Sequence, residues 1–545
     1  EVDGRPLVAD SICYETSARE AFSVTRLDWL ATGFSLVTTS GGHALPETTA
    51  FVPMRGESLA LRDLPAGKLT AICFHLGPDK VTNHADPARF SADHPLNPNL
   101  NRLHWDWKGG YIFLAIEGHW RAGDELLPGG YAYHFANDPN RVEVTLPVEL
   151  DLRDETVVTI ALDVQKLLAG LSFATDGATT HSQDGDPVAA RLKTGLASAF
   201  RVAGIDKNHV PRPVDAPRPI DLPADPQPYP ITLPRHIPLP ALPLDNPLLA
   251  ARVALGARLF HETALSRTRA LSCASCHQGP TLSDSRRFSP GVDGRHGPRH
   301  GMPLFNLAWK SSFFWDGRAP SLRAQALMPV QDHLEMDESL ENVVTKLQAD
   351  PAYPPLFAAA FGSGRISPEN LGLAIENFLL TRLSFDSKLD RSVKGAATLT
   401  PEEQRGFELF FTEFEPRLGR TGADCFHCHG GAFFTDHQFH NNGLVPTDDT
   451  GLKKTTGRAA DHGKFATPSL RNVALTAPYM HDGRFATLEE VIEHYDHGVH
   501  RGATLDPNLA KHIPYGGLRL SAEDKSALVA FLKTLTDEHF SASAK

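Results

Sequence analysis

Cysteine is scarce in this chain, with six residues in 545. That rules out a small disulfide-stapled scaffold and makes every cysteine pair worth explaining. Basic runs are absent and the formal net charge is −12, which argues against nucleic acid or an anionic membrane surface as a partner. No apolar stretch is long enough to span a bilayer, so the chain is not expected to be membrane-spanning. A signal-type apolar segment is also missing, and the chain begins at Glu1 rather than methionine. We read it as the mature form of an exported protein. Apolar content is ordinary, and on length alone three or four separately cored domains are expected.

Four of the six cysteines fall in two CxxCH motifs, CASCH at 273–277 and CFHCH at 425–429. This is the c-type haem attachment signature. Two thiols two residues apart reach the two vinyl groups of one porphyrin, and the next histidine supplies the proximal imidazole. The expected sets are Cys273, Cys276 and His277 for one covalent haem, and Cys425, Cys428 and His429 for the other. Zinc sites and redox dithiols also use paired cysteines, but the rarity of cysteine and the histidine after both pairs favour haem. Covalent haem attachment is extracytoplasmic in bacteria, so the periplasm is the expected compartment. Cys13 and Cys73 remain. In an oxidising compartment a disulfide between them is expected, with copper–thiolate ligation as the alternative.

Residues 211–247 hold 13 of the 42 prolines and read as an extended linker that packs over neighbouring surfaces. Upstream, Val142, Val144, Leu146, Val148, Leu150 and Leu152 alternate with mostly polar residues. After a turn at 153–155, Val158, Ile160, Leu162 and Val164 do the same, which predicts a hairpin with one buried face. Residues 68–76 and 110–118 also read as strands, so the N-terminal domain is expected to be β-sandwich-like. Downstream the pattern is helical. Asn246 is placed to cap a helix with Pro247 at its first position, Thr487 and Glu490 form a capping box, and Ser521 opens a last helix. The fold class is therefore multidomain: a β domain at 1–205, a linker at 206–245, and two mainly-α cytochrome c lobes at 246–392 and 393–545.

The two haem peptides have unlike surroundings. FFWDGRAPSLRAQALMPVQDHLEM (313–336) follows the first, and TPSLRNVALTAPYMHDGRFATLEEVIEHY (467–495) follows the second. With these motifs in order, residues 235–540 resemble the bacterial dihaem cytochrome c peroxidase/MauG family. The resemblance implies a haem-dependent peroxidase whose first haem reacts with H2O2. Glu335 matches the distal general acid–base, Gln325 and Pro329 match other distal positions, and Trp315 matches an electron relay between the haems. Thr476 and Pro478 match carbonyl donors to an interhaem calcium, whose third donor would be His300 or Gly301 in place of the usual asparagine. Tyr495 stands where ordinary dihaem peroxidases have a methionine ligand and MauG-like enzymes a tyrosine. A phenolate is a hard anionic donor that favours oxidised iron, whereas a thioether favours ferrous iron. Met480 is an alternative ligand. His427 reads as a spacer, and His481, His494, His497 and His500 as surface or supporting groups.

The segments NLNRLHWDWKGGYIFLAIEG (99–118), NHADP (83–87), YHFAN (133–137) and THSQDGDPVAARL (180–192) resemble the MbnP-like copper-binding family over about residues 20–200. In that family a dihaem MauG-like partner, MbnH, oxidises a tryptophan to kynurenine, and the product helps bind copper. The resemblance implies copper at His84, His134 and His181 with Trp105 or Trp107 as the modified residue. Imidazole suits copper, and residues i and i+2 of an extended segment share a face. Trp107 is the preferred target, being closer to the strand that starts at Gly110. His75, His94, His104 and His119 are weaker ligand candidates, and Trp29, Trp120 and Trp309 read as packing residues.

The combined expectation is a natural fusion in which the dihaem enzyme oxidises a tryptophan of its own N-terminal domain and so completes a copper site. An ordinary peroxidase with an external electron donor, and a non-enzymatic copper carrier, are the other classes. Pairing of the domains within one chain, or between the chains of a homodimer, stays open.

Overall fold

The computed structural model describes the chain except residues 62–63, 65–66, 106–108, 124–127, 152–155, 208–220, 417–418, 539 and 541–545. The N-terminal region is sheet-rich and the C-terminal region helical, as the sequence patterns require. Twelve strands are used below: β1 (Tyr14–Glu15), β2 (Glu20–Phe22), β3 (Arg26–Thr38), β4 (Gly41–Val52), β5 (Lys68–Leu76), β6 (His104–Trp105), β7 (Gly110–Ala122), β8 (Gly129–Ala136), β9 (Val142–Asp151), β10 (Val157–Leu162), β11 (Thr179–Thr180) and β12 (Phe200–Asp206). Ten of them form one curled sheet in which β1, β2, β7, β3, β5 and β9 follow in order, β4 adds to β3, and β6 and β8 add to β7. Strand β3 is long enough to pair with β7 near its start and with β4 and β5 further on, and this three-way pairing curls the sheet. Phe22, Phe113, Tyr131, Tyr133 and Phe135 fill its inner face and are fully buried.

Strand β9 alternates buried and exposed as its sequence predicts, but it is not half of a hairpin. It pairs with β5, while β10 pairs with β12 in a separate two-stranded ribbon. Period-two alternation sets which face of a strand is buried but does not choose its neighbour. The expected turn, 152–155, lies outside the described residues. The Cys13–Cys73 disulfide is also corrected. Cys13 is exposed just before β1, and Cys73 is a buried free thiol in β5, 3.6 Å from the Thr145 hydroxyl. Strands β2, β7 and β3 stand between β1 and β5 in the sheet, and both thiols are free. A disulfide needs Cα atoms within about 7 Å.

The C-terminal region holds two apolar cores, built from residues 255–380 and 389–535. Each is organised around a pair of crossing helices. Ala250–Phe260 packs on Pro368–Leu380, and Pro401–Phe410 packs on Ala522–Lys533. Gly256 and Gly406 sit at the crossings, where a methyl group would overlap the carbonyls of Ala374 and Ala527. The capping box at Thr487 and Glu490 and the cap at Ser521 form as expected. Asn246 does not cap a helix. The first helix starts at Ala250, and Asn246 instead binds the Leu373 carbonyl, Glu376 and Arg252 in a buried cluster. The proline-rich segment, described from 221, lies along this region. Ile237 is buried with Trp309, Phe385 and Phe433, and the Pro238 carbonyl accepts from the Trp309 indole at 2.8 Å. Among the described residues no helix is long and apolar enough to cross a membrane.

Strands β7 and β8 are buried along almost their whole length, because both faces are covered. One face meets the sheet's own core and the other meets the helical region. Gly130, Ala132 and His134 share that second face of β8, and Glu117 and His119 share the one on β7. His119 Nε2 reaches the Leu505 carbonyl at 2.6 Å, and Gly130 packs against Pro507. A methyl group on Gly130 would overlap the Pro507 carbonyl. Overpacking of this kind costs about 1–3 kcal/mol. Gly130→Ala is therefore expected to uncouple the domains, giving two separated calorimetric transitions with both haems retained. A single transition at the wild-type temperature would show that this contact does not hold the domains together.

Candidate functional site

The first CxxCH segment forms the short helix Cys273–Cys276, closed by reciprocal Ser272 and Ser275 bonds. His277 follows, and its Nδ1 lies 2.9 Å from the Leu282 carbonyl. The second segment repeats this: His429 Nδ1 lies 3.1 Å from the Phe434 carbonyl, again five residues on. A carbonyl at Nδ1 fixes the tautomer and leaves Nε2 for a metal. Both sites therefore fit a haem with a proximal imidazole.

Cys273, Cys276 and His277 line a cavity of about 590 Å³ together with Trp315, Gln325, Pro329 and Glu335, so every expected distal residue is brought to the first site. Gln325 and Pro329, four residues apart on the helix Leu322–Gln331, share its face. Glu335 is held by its backbone, its amide donating to the Asp332 carbonyl and its carbonyl accepting from Val292. Burial, reinforced by Asp332 and opposed by Arg318, pushes its carboxyl up to about 7. Lys310 lines the same cavity, where burial lowers its ammonium to about 8; a haem's carboxylates would supply counter-charge there. Trp315 spans the two lobes. Its indole donates to the His300 carbonyl at 2.8 Å, and its own carbonyl accepts from Ala466 of the second lobe at 2.9 Å. Arg299 straps the same junction through Asp316 at 2.7 Å and Asp449 at 2.6 Å.

At the second site Tyr495 comes from the helix Leu488–His497. The Asn442 amide nitrogen lies 3.4 Å from both the Tyr495 hydroxyl and the Met480 sulfur, so both candidate ligands converge on one point. Burial pushes the Tyr495 phenol up to about 12, so a phenolate there needs a cation such as ferric iron beside it. His481 stacks on Phe465, His494 binds the Asn442 carbonyl, and His497 and His500 are exposed. The Thr476 hydroxyl donates to Val473, and Pro478 follows in the same loop. At the third calcium position His300 offers an imidazole and a carbonyl that already serves Trp315, and Gly301 offers only its backbone carbonyl. Calcium takes oxygen donors, and neither residue replaces the side-chain oxygen of the usual asparagine, so no step is assigned to calcium.

In the N-terminal domain the structure gathers two of the three expected copper ligands. His134 Nδ1 and His181 Nε2 face each other at 3.4 Å. The other nitrogen of each ring is held by a carboxylate, Glu117 at 2.9 Å from His134 Nε2 and Glu413 at 2.8 Å from His181 Nδ1. Burial keeps both imidazoles neutral, His134 down at about 3. Neutral rings oriented by carboxylates suit a soft or borderline metal such as copper. Trp105 is buried beside them, its ring centroid 5.4 Å from His181 and 6.4 Å from His134. Trp107 lies outside the described residues. His84 is corrected: it is exposed at the end of a separate short helix, bound to Asp138 at 3.0 Å and the Gly109 carbonyl at 2.8 Å. His94 stacks on Phe90 and His104 on Tyr111, while Trp29, Trp120 and Trp309 pack in aromatic clusters as expected.

Sequence reading missed the other half of this cluster. His427, read as a spacer inside CFHCH, lies with its ring centroid 5.3 Å from both His134 and His181. Glu413, Asp424 and Lys511 of the haem region surround it, all buried. Against burial and Lys511, the carboxylates Glu413 and Asp424 hold the His427 imidazole up at about 9. The one visible signal was Glu117, a carboxylate inside the otherwise apolar run GYIFLAIEG.

Comparison with known proteins agrees with this layout. Residues 1–182 match the MbnP family, and residues 250–398 match the family described as di-haem cytochrome c peroxidase. The methylamine utilization protein MauG of Methylorubrum extorquens is 38% identical over 299 residues, covering 54% of this chain and 80% of that protein. Cytochrome c551 peroxidase of Nitrosomonas europaea is 31% identical over 305 residues, 54% of this chain and 82% of the relative. A crystal structure of a MauG-like protein associated with microbial copper homeostasis aligns with a TM-score of 0.53 at 37% identity, covering 58% of this chain and 97% of that one. The chain belongs to the di-haem cytochrome c peroxidase family, as a MauG-like haem-dependent oxidoreductase joined to an MbnP domain.

Proposed function

We propose that this periplasmic enzyme uses H2O2 to oxidise Trp105 of its own N-terminal domain to kynurenine, which completes a copper site with His134 and His181. The observation that carries this reading is the position of Trp105. It packs on His181, and His181 packs on Phe426 and His427, the two residues between the attachment cysteines of the second haem. One layer of rings thus separates the indole from the haem peptide. That layer offers a short path for electrons leaving Trp105, and the linker keeps the indole at high effective concentration.

The covalent c-type haems, held at His277 and at His429 with Tyr495, would supply the redox capacity that takes two electrons per peroxide. The protein's own groups do the rest. In its carboxylate form Glu335 accepts a proton from peroxide in the first cavity and returns it to the departing oxygen as water. Trp315 joins the lobes and would offer the path by which oxidising power generated in the first is shared with the second. With the haem bound, a Tyr495 phenolate would favour oxidised iron over rapid reduction by a small external donor. The overall reaction balances with two peroxides: tryptophan and two H2O2 give kynurenine, formic acid and one water. The MauG-like neighbour associated with copper homeostasis is consistent with a copper role.

Peptide mapping before and after peroxide is expected to show one carbon replaced by one oxygen at Trp105, with Trp29, Trp120 and Trp309 intact. Modification at Trp107 alone, or none at all, contradicts the assignment.

The rate of reaction with peroxide is expected to fall as pH drops through about 7, because protonation removes the base at Glu335. Glu335→Gln should slow it by about 10²–10⁴-fold and flatten that pH dependence, with haem content unchanged. A stopped-flow rate within error of wild type would remove Glu335 from the chemistry.

A further inference from the structure

We propose that the metal site is shared between the two domains, with His427 of the haem-attachment peptide as its third imidazole ligand beside His134 and His181. This extends the copper reading above. It rests on groups that are in place while Trp105 is still tryptophan, so it can be tested independently of the oxidation.

The geometry has three parts. First, one ligand nitrogen from each of the three histidines lies within 4.8 Å of the others. Nitrogens at about 2.0 Å from a common metal, at trigonal or tetrahedral angles, lie roughly 3.3–3.5 Å apart. The His134–His181 pair already matches at 3.4 Å, so only His427 must close in and give up to solvent the proton that Glu413 and Asp424 hold on it. Second, each ring has an outer carboxylate partner: Glu117 on His134, Glu413 on His181, and Asp424 on His427, with Glu413 shared between the last two. Such partners orient metal-bound imidazoles and compensate the charge of a cation. Third, the site is buried and crosses the interface, since Glu117, His134 and His181 belong to the N-terminal domain and Glu413, Asp424 and His427 to the haem lobe. Neither domain alone supplies three imidazoles here.

The arrangement has two consequences. A metal at this point cross-links the domains, so binding strengthens docking by mass action. The bound ion is also attached, through His427, to the peptide that carries the second haem. Three imidazoles form a site for copper in either oxidation state, and one through which it can exchange an electron with that haem.

The test uses the full-length dihaem protein, with Trp105 intact and again after peroxide, and the variant His427→Phe. Position 427 is one of the two variable residues of CxxCH, so haem attachment is retained, and total haem is measured as the control. Copper retained after equilibrium dialysis gives affinity, and pulsed EPR of the Cu(II) form counts coordinated imidazoles. Wild type should bind one copper per chain with three imidazoles. His427→Phe should bind at least tenfold more weakly with two, and His427→Gln should behave like it. Equal affinity and an equal imidazole count in wild type and both variants overturn the shared site. Absence of copper binding by wild type in both states overturns it together with the copper reading. Peptide mass of the same samples reports separately whether Trp105 is oxidised.

Discussion

The structure depends on a buried network of carboxylates and imidazoles at the seam between sheet and haem lobe. Glu117 holds His134, Glu413 holds His181, and Lys511 and His427 sit between Glu413 and Asp424. Desolvating these charges is expensive, and removing one partner of a buried pair typically costs about 3–5 kcal/mol. The network is satisfied only when both domains contribute, so it selects one docking register among the many that an apolar interface would tolerate. Thr179 on Glu413 and Asn508 on Glu117 add polar contacts that fit the same register. That register puts Trp105 one ring layer from the second haem peptide.

The two lobes solve the same local problem identically and then diverge. Each has a glycine at its helix crossing and a proximal imidazole fixed by a carbonyl five residues on. The difference lies in the other side chains gathered at each site. The first lobe offers an open cavity with a carboxyl poised near neutrality, suited to moving peroxide's proton. The second closes on Tyr495, whose burial disfavours the phenolate unless a cation is beside it. In the proposed reaction, activation of peroxide and retention of oxidising power would fall to separate sites, joined where Trp315 bonds across the lobes.

Local chemistry was legible in the sequence. CxxCH, the capping box at Thr487, the strand alternation of 142–150 and the residues around Glu335 each depend on neighbours close in the chain. What failed depended on partners far away. The pairing of β9 with β5, the separation of Cys13 from Cys73 and the burial of Asn246 all follow from how distant segments meet. His84 resembled His134 and His181 by composition, but its strand-end neighbours Asp138 and Gly109 occupy it. His427 was hidden for the opposite reason: its motif explains the cysteines and the last histidine completely, and nothing local says that another domain faces the residue between.

The central claim is that docking within one chain presents Trp105 to that chain's own second haem. An isotopically heavy chain carrying Glu335→Gln, mixed with a light wild-type chain and treated with peroxide, tests it directly by peptide mass. The account predicts kynurenine at residue 105 in the light chain and intact tryptophan in the heavy one. Equal modification of both chains would show that the substrate is presented between molecules and would contradict the docking described above.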